Sequence, residues 1–200
     1  MPLRRYKSLI LIVCLAAALL VASPALQQLV SLPKTDDLTE FWLLGPNHNG
    51  VYPSNVTADQ NYRLYLGTSN HLGSCAYYVV EIKFANQTQS SPDSFNHTSS
   101  TQPALSSLTY FVAQNESYEV PLDISLQYQA NDKNPALVDM KGVTVNGEEL
   151  SLNTTSVAFD ISKGGFFGNL IFELYLYNQT TNNMEYNQRY LNLWLKLMVE

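Results

Sequence analysis

From residue 39 onward the chain reads as short runs of alternating apolar and polar side chains, separated by turn residues. The longest alternation lies over 75–84, where Ala76, Tyr78, Val80, Ile82 and Phe84 share one side of an extended chain. A second lies over 118–128, with Val120, Leu122, Ile124, Leu126 and Tyr128 on one side. Pro121 removes a backbone donor there, which predicts an edge strand or a strand start. Over 61–67, Tyr62, Leu64 and Leu66 oppose Arg63 and Tyr65. The run Thr39-Glu-Phe-Trp-Leu-Leu-Gly-Pro46 supplies Phe41, Trp42, Leu43 and Leu44 to the first buried layer, and Gly45-Pro46 ends it. Further strands are expected at 105–113, 156–161, 169–177 and 190–198. A hairpin is expected at 143–150, closed by Asn146-Gly147, the pair best suited to positive φ at both turn positions. Residues 134–140 predict one short helical turn, and 86–102, rich in Ser and Thr, predict a mobile surface loop. About eight or nine short strands without a helical period predict an all-β, antiparallel β-sandwich over 36–200.

The first 33 residues show a different pattern. Arg4, Arg5 and Lys7 precede an apolar run, and no further charge appears until Lys34. Basic residues ahead of such a run hold the N-terminus inside and send the downstream chain outside. The segment is a signal peptide or a signal anchor. Residues 8–32 exceed the ~20 that a membrane-spanning helix needs, giving a single-pass protein with its domain outside. Ser23-Pro24-Ala25 offers the alternative, cleavage after Ala25 and secretion. Pro33 to Asp37 is a polar joint.

Composition sharpens this. The chain has 13 Tyr and 8 Phe beside 14% charged residues, a balance that favours strands. Beyond residue 7 it carries 8 basic and 17 acidic side chains, a net of −9. Such a surface repels phosphate, so nucleic acid is excluded as a partner and anionic lipid is disfavoured. Cys14 lies in the apolar segment and Cys75 in the domain, so no disulfide forms within the domain; Cys75 is a small half-buried residue or pairs between chains.

Candidate chemistry is sparse. Six Asn-X-Ser/Thr sites occur, at Asn55, Asn86, Asn96, Asn115, Asn153 and Asn178. Chance gives about three, so the doubling points to N-glycosylation outside the cell, first at the loop positions Asn86 and Asn96. His48, His71 and His97 have no metal-ligand spacing. The pairs Asp36-Asp37 and Glu148-Glu149 read as solvated charge, and Gly164-Gly165 with Phe166-Phe167 as a bulged turn whose aromatics fold inward. No catalytic, cofactor or metal residue is expected. At least one of Trp42 and Trp194 should be mostly buried. Tyr65 and Tyr77, opposite the expected core, form a candidate contact surface, or alternatively stabilise strand pairs.

Thr39-Glu40-Phe41-Trp42-Leu43-Leu44-Gly45-Pro46, then Tyr52-Pro53 and Asn70-His71, and the closing Arg189-Tyr-Leu-Asn-Leu-Trp-Leu195, resemble the extracytoplasmic part of an archaeal membrane-protein family. That family is catalogued as domain of unknown function 1616, and the likeness covers roughly 36–198. Typical members carry several membrane helices before this domain, where this sequence shows one. The resemblance implies an immunoglobulin-like β domain, preceded here by one N-terminal hydrophobic helix, in an archaeal envelope, and no known activity. The expected function is a non-enzymatic, glycosylated envelope protein, bound to the membrane through that helix, that contacts an envelope protein or a glycan. Two alternatives stand beside it. Arg4-Arg5-Tyr6-Lys7-Ser8 resembles archaeal prepilin leaders, although Pro24 would kink a pilin helix. An extracellular hydrolase is the remote alternative, without a nucleophile motif.

Overall fold

The structure, a computed structural model, describes residues 12–13, 38–93, 95–152 and 156–199. The chain divides into two units, Met1–Asp36 and Asp37–Glu200. Of the first only Ile12 and Val13 are described, both helical. The span at 8–32, the cleavage position after Ala25 and the sequon at Asn153 therefore lie outside the described residues. Among those described, no helix is long and apolar enough to cross a membrane.

The second unit is nearly all β. Its strands are β1 (Leu38–Leu44), β2 (Asn55–Thr57), β3 (Tyr62–His71), β4 (Ala76–Ala85), β5 (Ser106–Val112), β6 (Ser117–Ala130), β7 (Leu137–Val145), β8 (Glu148–Ser151), β9 (Ser156–Asp160), β10 (Gly165–Asn178) and β11 (Asn183–Met198). They form one open, curled sheet in the order β1-β3-β6-β7-β9-β10-β11-β2, with β8 added beside β7 and the β4-β5 pair beside β10. Strand β9 joins the two halves: Ser156–Ala158 pair with β7, and Phe159 and Asp160 pair with β10. Every described pairing is antiparallel except β11 with β2.

The inner side of the curl is one core. Leu64 and Leu66 of β3, Tyr78, Val80 and Ile82 of β4, Leu122 and Ile124 of β6, and Phe172 and Leu174 of β10 are each at most 1% exposed. These are the positions that two-residue periodicity places inward. Pro121 is tolerated because β7 pairs only Ile124–Ala130 of β6, which leaves the N-terminal half of β6 with β3 alone. Asn146 (φ 51°) and Gly147 (φ 85°) make the expected two-residue hairpin turn.

Several expectations change. Residues 137–140 are not a helical turn but the start of β7, with Val138 and Met140 buried and Leu137 and Asp139 half-buried. The preceding segment turns instead, because Asn131 Oδ1 accepts from the amides of Lys133 and Asn134, and Asn134 Oδ1 from that of Ala136. Strand β11 begins at Asn183, through a polar stretch that carries no alternation, and a bulge between Leu174 and Tyr175 keeps it paired with β10. The tryptophans divide, Trp42 being mostly buried, as expected of at least one of them, and Trp194 exposed. Leu43 in β1 and Leu193 and Leu195 in β11 take the inward positions, so Trp42 and Trp194 face outward by alternation, the latter 39% exposed. Cys75 is exposed at the turn before β4.

Candidate functional site

Strand β10 departs from simple alternation. From Gly168 to Leu174 every residue is buried, including Asn169, Ile171 and Glu173, which point away from the core. The 86–102 loop covers them. The Ser100 amide donates to Glu173 Oε1 at 2.7 Å, and Asn169 Nδ2 donates to Ser91 Oγ. Asn86 and Gln87 donate to the carbonyls of Ser156 and Ala158 at the β9 end. The expected mobile loop is thus a strap docked on the outer face of the sheet.

Beneath the strap sits a charge cluster. Lys83 Nζ lies 2.8 Å from Glu173 Oε2 and 3.1 Å from Glu81 Oε2, with the Lys83 and Glu173 side chains 4% and 0% exposed. Tyr175 donates its hydroxyl to Glu173 Oε2. Loss of water lowers the Lys83 pKa, but its hydrogen bonds to Glu173 and Glu81 outweigh that and hold the ammonium above the ordinary lysine value. Burial pushes the Tyr175 phenol up to about 12. Ser100 Oγ, Gln102 Oε1 and Asn169 Oδ1 are buried without a protein hydrogen-bond partner, so the strap seals a polar layer. A lysine clamped between two carboxylates is neither a free nucleophile nor a free base; the cluster fastens the strap.

Tyr65 and Tyr77 are placed on different halves and are not brought together. Tyr65 belongs to β3, where the His48 ring stacks on it at 3.7 Å. His48 Nδ1 is 3.2 Å from Glu119 Oε1, and Trp42 Nε1 donates to Glu119 Oε2 at 3.2 Å. The Trp42 indole lies over Gly67, its direct partner across β1 and β3; a Cβ there would fall inside the ring. Tyr65 is thus covered from outside by the 45–54 loop.

Tyr77 stands in an open row. Its ring stacks on Phe111, its β5 partner, at 4.6 Å, and meets Tyr177 of β10 edge-on at 6.3 Å. Phe111 is 70% exposed and Tyr177 37%. Beside Tyr177 the β10–β11 hairpin encloses a recess of about 350 Å³ whose wall includes Asn178, Thr180, Glu185, Tyr186 and Asn187. Asn178 Nδ2 and Thr181 Oγ1 donate to Glu185, holding its carboxyl below the usual range. The Tyr186 hydroxyl and Asn187 Oδ1 have no protein hydrogen-bond partner. Phe111 and Tyr177 did not emerge from the sequence. Alternation puts Phe111 opposite Tyr110 and Val112, but which strand stands beside which is not written in any local pattern.

Among the sequons, Asn55, Asn96 and Asn115 are exposed, while Asn86 and Asn178 are half-buried. The Nδ2 that would carry the sugar is engaged in Asn86 with Ser156, in Asn96 with Asp93 and in Asn178 with Glu185. Asn115 uses only its Oδ1, which faces His71 Nδ1. His71 Nε2 lies 2.9 Å from Ser69 Oγ, and His97 sits in a turn at φ 54°. Among the described residues no group of three or more His, Cys, Asp or Glu could hold a metal ion.

No protein-family model and no curated protein matches the chain. Solved structures similar to it in part include a β-glucosidase from Listeria innocua, in complex with glucose at 6% identity and a TM-score of 0.36, and in complex with isofagomine at 7% and 0.35. Each match covers 83% of this chain and 17% of the β-glucosidase, so the chain spans about a sixth of that protein's length.

Proposed function

We propose that this chain is a cell-envelope protein that works by contact and not by catalysis. An immunoglobulin-like β-sandwich, of the kind found in the archaeal family it resembles, is displayed outside the cell. The apolar segment at 8–32 holds it to the membrane as a single-pass anchor, or releases it if cut after Ala25. The sandwich reading is supported by the way the strands on either side of β9 turn their apolar positions to one shared core. The doubled sequon count supports residence outside the cell, with Asn55 and Asn115 the most open acceptors because their Nδ2 groups are not tied to the described protein.

One observation carries the contact reading: the open aromatic row Phe111, Tyr77 and Tyr177. Exposed rings on adjacent strands offer apolar area while a tyrosine hydroxyl stays satisfied, as in Tyr177, which donates to Asn182 Oδ1. Tyr65 is covered and leaves the contact surface, and Phe111 and Tyr177 take its place beside Tyr77. The test is a pull-down from detergent-solubilised envelope with tagged full-length protein, repeated with Phe111→Ala and Tyr177→Ala. Recovery of one component by the wild type, lost in both variants while their melting is unchanged, is the expected result. Recovery that survives both substitutions overturns the assignment of the surface. Intact mass of the purified protein decides between anchor and secreted form.

A further inference from the structure

We infer that the row Phe111–Tyr77–Tyr177, with the hairpin recess beside Tyr177, is a binding site for a neutral oligosaccharide. This rests on the contact reading above and names the chemistry of the ligand. Three features of the surface select it.

The first is shape. The rings come from β5, β4 and β10, which lie side by side. With strands about 4.8 Å apart the row extends roughly 10 Å across the sheet, the scale of two linked pyranose rings. The Tyr77 and Phe111 rings are inclined by only 27°. A pyranose presents C–H groups on its flat faces and hydroxyls around its edge, so it rests on such a row while its edge stays available for hydrogen bonds.

The second is charge. The recess residues include no lysine or arginine, Glu185 stands on its wall, and the chain beyond residue 7 carries a net of −9. A single-stranded nucleic acid would also stack on aromatic rings, but it draws affinity from cations along its backbone, and none lines the recess among the described residues. Acidic polysaccharides meet the same repulsion.

The third is the hydrogen-bonding complement of the recess. Its wall is built mostly from polar residues, Asn178, Gln179, Thr180, Glu185 and Asn187, beside the rings of Tyr177 and Tyr186. Tyr186 OH and Asn187 Oδ1 are buried behind this wall and are not part of the surface a ligand meets. Sugar hydroxyls donate and accept, and so match a mixed wall of this kind. An apolar side chain from a protein partner would instead strip water from the exposed Glu185 carboxylate without replacing its hydrogen bonds. Glu185 already accepts from Asn178 and Thr181, one bond on each oxygen, and keeps lone pairs for a sugar hydroxyl.

The test uses full-length protein in a detergent without a sugar head group, titrated calorimetrically with neutral hexasaccharides of glucose, mannose, galactose and N-acetylglucosamine, with polygalacturonate as the acidic probe and a thymidine oligonucleotide as the nucleic-acid probe. At least one neutral hexasaccharide should bind in the micromolar to millimolar range. Phe111→Ala and Tyr177→Ala should each weaken it about tenfold or more, Tyr177→Phe should retain most of it, and Tyr65→Ala, on the other half of the sheet, should not change it. Saturation-transfer spectra should show the sugar's C–H protons closest to the protein. No binding by any neutral probe at millimolar concentration overturns the inference, as does binding unaffected by both alanine variants or tighter binding of either anionic probe. If the sugars fail while the envelope pull-down still depends on Phe111 and Tyr177, the contact reading stands and the ligand is a protein.

Discussion

Lys83 and Arg63 each meet a carboxylate on a neighbouring strand, and the two pairs occupy opposite conditions. Arg63 reaches Asp123 through two hydrogen bonds, Nε to Oδ1 at 2.8 Å and Nη2 to Oδ2 at 2.5 Å, with side chains 51% and 39% exposed. Lys83 meets Glu173 in the near absence of water, under a strap that also donates to the carboxylate. The better fork geometry belongs to the pair that water screens. The pair with more at stake is held by its surroundings, because neither partner has solvent to return to. Geometry alone therefore ranks these interactions in the wrong order.

The comparison can be broken most directly at Glu173. Glu173→Ala leaves the Lys83 ammonium buried beside Glu81 alone and should cost about 3–5 kcal/mol in urea unfolding. The double variant Lys83→Met with Glu173→Leu should recover most of that loss, since an apolar pair of similar volume removes both desolvation terms. A Glu173→Ala protein as stable as wild type would mean that the strap does not seal the pair.

Removing the strap's own contact should have a smaller effect. Ser100→Pro deletes the amide that donates to Glu173 and should cost about 2 kcal/mol, with faster proteolysis between residues 86 and 102. Equal cutting rates in both proteins would count against a docked loop.

Alkali tests the buried interior by titration. Burial raises the phenols of Tyr78, Tyr110, Tyr128, Tyr175 and Tyr186, Tyr110 and Tyr175 to about 12, and Lys83 is held above its ordinary value. For groups whose folded pKa is raised, stability is fully present below the unfolded pKa, near 10 for Tyr, and is lost as pH climbs toward the folded value. Stability should hold to about pH 10 and fall steeply toward 12, with phenolate absorbance rising together with unfolding. Independent titration of all thirteen tyrosines near pH 10 in a still folded protein would contradict this burial.

The smallest effect is expected at the exposed pair. Arg63→Ala should leave the melting temperature within about 2 °C of wild type. The hydrogen bond from Arg63 holds the Asp123 carboxyl below its ordinary range, so its contribution is present above the unfolded pKa and fades as pH falls below about 4. Added salt should weaken it further. A large loss in Arg63→Ala would show that exposure understates this pair.

How much of this was legible in the chain depends on what each residue type can signal. The inward sets over 76–84 and 120–128 were visible because each alternation is long enough to admit only one face. The Asn146-Gly147 turn was visible because few residue pairs tolerate its backbone. Residues 137–140 were not, since Leu-Val-Asp-Met fits one helical turn as well as a strand until its neighbours β6 and β9 are known. The strap was hidden by its own composition: serine and threonine describe a solvated loop, and nothing local announces that Glu173, in the middle of an apolar strand, awaits an amide from Ser100. Phe111 and Tyr177 were hidden by register, which arises only when distant strands pair.

The indole of Trp42 lying over Gly67 has an evolutionary consequence. The ring occupies the space that any side chain at 67 would need, so position 67 is free to change only once position 42 has lost the ring. Among relatives of this protein, glycine at 67 should accompany tryptophan at 42, and a lineage that replaces the ring with a small residue should release 67 to an ordinary β-branched strand residue. Because the same indole donates to Glu119, which in turn meets His48, that release would extend to the whole outer cluster of β1, β3 and β6. Four positions scattered from 42 to 119 would then drift as a group, while the core leucines between them stayed as they are.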